Sequence, residues 1–397
     1  MSKKSAGQAK VFISFGDVAG GSKSSGSSFT GTTSVSTPLP LYTGNDSELV
    51  LLSKKLMKKD SVTKLKAIQD LVAVLAAKPE HILADFLVFF VYGFSKLWIE
   101  DHRAIREKLC TIITTIVNVE KRLLAPHMKT LIGPWWMLTG DPIGDVSQAA
   151  YSSFCSAIPP KKRQQVLVYL SSSIINEASK NINLRPESLC DLSVTPIEEA
   201  EERLERVIVS TLASIDKFIT LLTVEQNQQL TSTSGGSDLS AEPSACYRDL
   251  FTPAMWTKCL DSKFVLVRRA AYQLMATVAS HAPGVLSAES SSQRGDVSPV
   301  FFKQVVRCLL EETSVLNLNV LLSSVVELLT RVPAFFDVAS VSDDIVPALS
   351  HLLWAYPQLA LEFVLPIAGC IPAAHVALLE APPQAQAHRG AQAAICG

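Results

Sequence analysis

Apolar residues recur at helical spacing through most of the chain. In residues 61–76, SVTKLKAIQDLVAVLA, Leu65, Ile68, Leu71, Val72 and Leu75 follow a 3.6-residue period, which predicts an amphipathic helix. Thr195-Pro196-Ile197-Glu198 reads as a capping box with proline opening the helix. Glu199–Arg203 and Glu202–Arg206 are then spaced as i,i+4 ion pairs on its solvated side. No Asn-Gly or Asp-Gly hairpin turn separates alternating segments, so strands are not expected. The punctuation is proline instead: Pro79, Pro126, Pro134, Pro159-Pro160, Pro283, Pro333 and Pro357 are expected at helix breaks. The expected fold class is all-α.

A repeat organises the pattern. Thr63-Lys64-Leu65-Lys66-Ala67-Ile68, Arg103-Ala104-Ile105-Arg106-Glu107-Lys108 and Gly144-Asp145-Val146-Ser147-Gln148-Ala149 align without gaps. The aliphatic anchor moves from Leu65 to Ile105 to Val146, steps of 40 and 41 residues. A fourth copy anchors at Val267, 121 residues further on, and repeats Val, Ala, Ala and Tyr (Val146, Ala149, Ala150, Tyr151; Val267, Ala270, Ala271, Tyr272). Trp98, Trp136 and Trp256 stand upstream of three copies, each followed by an acid: Asp101, Asp141 or Asp261. A period of about 40 residues predicts a HEAT/ARM-like solenoid of helix pairs, each unit burying its apolar faces on its neighbours. The tryptophans are expected in the core. The turn acids are expected to pair with arginine along the stack, and the alanine pairs to allow close helix approach.

Composition sets the limits. At 48% hydrophobic the chain has ample core for an ordered fold. The expected organisation is a disordered Ser/Gly-rich head over 1–46 carrying the FISFG motif, repeats over 47–380, and a low-complexity tail over 381–397. Residues 231–243 and 287–299 read as polar loop inserts. VFISFG, residues 11–16, reads either as a chance apolar cluster or as a short docking segment.

Charge and motifs exclude more than they assign. With 36 basic against 37 acidic residues, net charge gives no ground for coating DNA. No phosphate-binding glycine loop, H-E-x-x-H or G-x-S-x-G occurs, so no catalytic residue is assigned. The eight cysteines lie too far apart for zinc-ligand spacing and read as buried thiols of a reducing compartment, so no metal or other cofactor is expected in this chain. The N-terminus lacks the apolar run of a secretory signal. Residues 363–379 come nearest to a membrane segment, but they hold Pro366, Pro372 and His375 and fall short of about 20 residues.

One cluster stands out. Lys54, Lys55, Lys58, Lys59, Lys64 and Lys66 face only Asp60 in SKKLMKKDSVTKLK. They read as a solvated capping face, as a phosphate-binding face driven by counterion release, or as a face for an acidic protein. Lys161, Lys162 and Arg163, after Pro159-Pro160, form a second, smaller basic turn.

The lysine run SKKLMKKDSVTKLKAIQDL, with the FISFG head, resembles the N-terminal region of the listerin family, large RING-type E3 ubiquitin ligases of ribosome-associated quality control. IEDHRAIREKLCTIITTIV, RLLAPHMKTLIGPWWMLTGDP, SFCSAIPPKKRQQVLVYL and MWTKCLDSKFVLVRRAAYQLMATV follow in the same order, so the resemblance spans roughly residues 10–360. It implies a long solenoid docked on the 60S ribosomal subunit in the cytosol, near the nascent-chain-complex cofactor. It also implies a distant C-terminal RING that binds zinc and recruits a ubiquitin-charged E2. No clustered Cys/His pairs for that RING occur in this sequence. The chain is therefore expected to be an N-terminal portion, inactive alone, with the lysines above as its ribosomal contacts. Two other readings stay open: a generic HEAT scaffold for complex assembly or transport, and a membrane-associated helical protein.

Overall fold

The computed structural model describes residues 42–232, 243–286, 297–333, 335–338 and 340–373. Within them the chain is helical and no strand occurs. The first four helices are α1 (Ser47–Leu56), α2 (Ser61–Leu75), α3 (Glu80–Leu97) and α4 (Arg103–Glu120). Next come α5 (Met128–Leu138), α6 (Gly144–Ala157), α7 (Arg163–Ile182), α8 (Pro186–Leu189) and α9 (Ile197–Ser232). The remainder are α10 (Pro253–Leu260), α11 (Val265–His281), α12 (Val297–Glu311), α13 (Val315–Arg331), α14 (Phe335–Val338), α15 (Val346–Ala355) and α16 (Pro357–Gly369).

The helices stack in two layers. In one, α3 packs on α5 and α5 on α7, then α10 on α12 and α12 on α15. In the other, α2 packs on α4 and α4 on α6, then α9 on α11, α11 on α13 and α13 on α16. Each pair covers the apolar face of the next, which is the HEAT/ARM-like plan. Trp98, Trp136 and Trp256 are buried between the layers as expected. Ring contacts continue without a break from Trp136 through Phe218, Tyr247, Phe251, Trp256, Phe301 and Phe302 to Phe335, with centroids 4.9–6.3 Å apart. Most of these pairs are edge-to-face or tilted, the arrangement aromatic quadrupoles favour.

Local chemistry sets the helix ends. Asp46 and Asp60 cap α1 and α2 by accepting backbone N–H bonds, and Thr252 does the same for α10. Pro134 departs from expectation: it lies inside α5 instead of ending a helix. Its lost bond frees the carbonyl of Thr130, an exposed residue, where water can satisfy it. α9 opens at Ile197, one residue after Pro196. Residues 42–46, assigned to the head from sequence, are among the described residues. Tyr42 is buried against Phe86 and Phe89, and its hydroxyl donates to Asp85 at 3.0 Å.

The inserts expected at 231–243 and 287–299 lie largely outside the described residues, as do residues 1–41, the tail 381–397 and the last part of 363–379. α9 runs through Ser232 and α12 begins at Val297, so the edges of both inserts are helical. No helix among the described residues is long and apolar enough to cross a membrane.

Candidate docking surface

Charges between repeats are used in a regular way. The fourth residue of α2, Lys64, pairs with Glu100 in the α3–α4 turn. The fourth residue of α4, Arg106, donates to Asp141 in the α5–α6 turn at 2.8 Å. The fourth residue of α11, Arg268, donates to Glu312 in the α12–α13 turn at 2.8 Å. α6 carries Ser147 at this position, and there Lys217 of α9 reaches both Ser147 and the Thr139 carbonyl. On α2, α4 and α11 a cation at this position thus grips the turn of a neighbouring repeat.

The ladder corrects the register of the first repeat. Ile105, Val146 and Val267 are third residues of their helices and buried, whereas Leu65 is the fifth residue of α2 and only half-buried. Lys64, not Lys66, therefore occupies the Arg106 position. It is 7% exposed, so it leaves the basic face to which the sequence assigned it.

The other five lysines stay outside the ladder. Lys54 and Lys55 occupy the last turn of α1, where a cation suits the negative end of the helix dipole. Lys58 and Lys59 follow in the α1–α2 turn, and Lys66 points outward from α2. All but the half-buried Lys55 are exposed, and none of the five forms an ion pair among the described residues. Asp60, the acid within this stretch of sequence, accepts from Thr63 N–H and hydroxyl, and its carboxyl is held below the usual range by those bonds.

The second basic turn is less available. Lys161 is exposed and Lys162 half-buried. Arg163 folds back on the end of α6 and donates to the carbonyls of Ile158 and Cys155 at 3.3 and 3.5 Å. Those carbonyls have no intrahelical donor, so Arg163 serves as a C-terminal cap.

Arg203 and Arg206 also depart from the sequence reading. Both reach Asp101 in the α3–α4 turn, about a hundred residues back, in place of a local pairing with Glu199 and Glu202. Burial works against the Asp101 charge, but the two arginines hold its carboxyl below the usual range. Burial, and then the nearby Arg106, pull Arg206 down to about 10. α9 thereby lies across two turns. Trp136 Nε1 donates to the Ser214 carbonyl at 2.9 Å, and a Cβ at Gly140 would strike the Ser210 carbonyl oxygen and the Ser214 nitrogen.

Burial pushes the Cys110 and Cys259 thiols up to about 12 and Cys308 up to about 11, which disfavours the thiolate a metal or a nucleophile needs. Among the described residues no three His, Cys, Asp or Glu side chains converge as metal ligands, so these residues do not fit a zinc site.

The sequence profile of the E3 ubiquitin-protein ligase listerin N-terminal domain matches residues 44–360. The chain belongs to the listerin family. The mouse listerin is 24% identical over 247 residues, 62% of this chain and 13% of that protein. The Neurospora crassa listerin is 24% identical over 261 residues, covering 66% of this chain and 15% of its own length. The Schizosaccharomyces pombe listerin is 31% identical over 177 residues, 44% and 11% of the two chains. The chain thus spans less than a sixth of each of these relatives. The FISFG head lies before the matched stretch. Among solved structures, a designed armadillo repeat protein covers 70% of this chain and 98% of itself at 13% identity and a TM-score of 0.31. At that score the likeness adds nothing to the fold described above.

Proposed function

We propose that this listerin-family chain is a ribosome-docking arm acting in ribosome-associated quality control in the cytosol. It holds the ligase on 60S subunits that carry stalled nascent chains, near the nascent-chain-complex cofactor. Transfer of ubiquitin from an E2 belongs to the zinc-binding RING of the full-length ligase, and this chain supplies position, not catalysis.

The observation that carries the reading is the division among the cations. Lys64, Arg106, Arg203, Arg206, Lys217 and Arg268 are bound within the solenoid. Lys54, Lys55, Lys58, Lys59 and Lys66 form no ion pair among the described residues. Compact ammonium groups on flexible stems suit RNA phosphates as point charges, and release of condensed counterions drives such contacts. Lys161 is a secondary candidate.

Co-sedimentation with purified 60S subunits over a range of salt tests this. Reversal of Lys54, Lys55, Lys58 and Lys59 to Glu should weaken binding and flatten its salt dependence. Unchanged sedimentation of the reversed chain overturns the lysine face.

A further inference from the structure

A second surface has the opposite character to the lysine face. Leu192, Val194 and Ile197 are 37%, 69% and 42% exposed within six residues. The segment is ordered by its own hydrogen bonds. The N–H groups of Val194 and Thr195 both donate to the Asp191 carbonyl, at 3.0 and 2.9 Å. The Asp191 carboxylate accepts from the Ser193 N–H and hydroxyl at 3.0 and 2.6 Å. Three aliphatic side chains are thus held in water by a fixed backbone, which lowers the ordering cost of binding.

The charge beside them is unbalanced. Glu198, Glu199 and Glu202 are exposed and make no ion pair among the described residues. The arginines spaced to neutralise two of them, Arg203 and Arg206, are drawn away to Asp101. The Asp191 carboxyl is held below its usual range, first by the hydrogen bonds from Ser193 and least by the charge of Lys59.

We propose that Leu192, Val194 and Ile197, with Glu198, Glu199 and Glu202, dock a cationic amphipathic segment of a partner protein. Its apolar side chains would cover the three aliphatics, and its Lys or Arg residues would meet the three carboxylates. Exposed ion pairs alone contribute little, so the aliphatic contact is what distinguishes an amphipathic segment from a merely basic one. That the segment is a basic ribosomal-protein tail beside the RNA bound by the lysines rests on the proposed function; the surface itself does not.

The test uses the whole chain and a fluorescent Lys/Leu amphipathic peptide, followed by anisotropy with no RNA or ribosome present, and oligolysine as the control. Saturable binding is expected, with oligolysine weaker. Val194→Ser with Ile197→Ser should weaken the peptide about tenfold, the equivalent of losing about 1.4 kcal/mol. Glu198→Lys, Glu199→Lys and Glu202→Lys together should abolish it. All these positions are exposed, and unchanged thermal unfolding by circular dichroism confirms the fold of each variant. Reversal of Lys54, Lys55, Lys58 and Lys59 should leave peptide binding intact or tighter, which separates this surface from the lysine face. No saturable binding, oligolysine binding as tight as the peptide, or variants that bind like the parent would overturn the proposal.

Discussion

The Arg106 Nε lies 2.8 Å from the Asp141 carboxylate, and both side chains are fully buried. The same guanidinium donates to the Glu100 and Asp101 carbonyls at 2.7 Å each, and through Nη2 to the other Asp141 oxygen at 3.2 Å. One side chain therefore joins two successive turns, and its donors are matched to carbonyls and a carboxylate.

Removing one partner should cost far more than the pair contributes. Arg106→Leu leaves the Asp141 carboxylate buried and unpaired, an expected loss of roughly 3–5 kcal/mol. Arg106→Leu with Asp141→Leu should cost less than the sum of the single changes by about 1 kcal/mol or more. Urea unfolding of the four proteins measures the coupling, and strict additivity would contradict it.

Glu312 should make stability fall on acidification. Burial alone would raise its carboxyl, but the hydrogen bonds from Arg268, the Ser314 N–H and Tyr272 outweigh it and bring the group down to about 2. Unfolded, it titrates near its ordinary value of about 4.3. The folded carboxyl is the stronger acid, so its stabilisation is present above about 4.3 and declines as pH falls toward about 2. The loss expected across that window is on the order of 2 kcal/mol. Glu312→Gln should be less stable near neutrality and should lose less on acidification, which urea midpoints across the window would show.

Gly140 is the point at which α9 meets the α5–α6 turn. A methyl group there meets two backbone atoms of α9, and neither can rotate away. Gly140→Ala should destabilise by about 2 kcal/mol or more as α9 is lifted from Trp136. Tryptophan fluorescence during thermal unfolding should report an earlier transition; an unchanged midpoint would show that α9 moves freely.

The helical plan was legible because burial leaves a periodic trace: Trp98, Trp136, Trp256, Ile105, Val146 and Val267 all lie in the core. The first register was misread by two residues because Leu65 and Lys66 imitate Ile105 and Arg106 in type. Only the partner, Glu100, identifies Lys64 as the ladder residue. Arg203 and Arg206 were misassigned for a related reason. The i,i+4 rule sees one helix, while Asp101 lies in a distant turn and is partly desolvated. The lysine face was visible as composition, and sequence could not divide it into bound and free members. The acidic strip at 198–202 could not be read as unpaired from sequence, because Arg203 and Arg206 turn to Asp101 instead of Glu199 and Glu202.

That division yields the sharpest contrast between two lysines of one short stretch. Lys64 is buried against Glu100, and Lys58 is exposed without an ion pair. Lys64→Gln should lower stability by roughly 1–2 kcal/mol, since it strands a half-buried carboxylate. Lys58→Gln should leave stability within about 0.5 kcal/mol and reduce the salt slope of 60S binding by a little under one unit. Unfolding and salt-titrated sedimentation on the same two proteins separate a structural cation from a docking one. Lys58→Gln reducing stability as much as Lys64→Gln, with no change in slope, would mean that both lysines serve the fold.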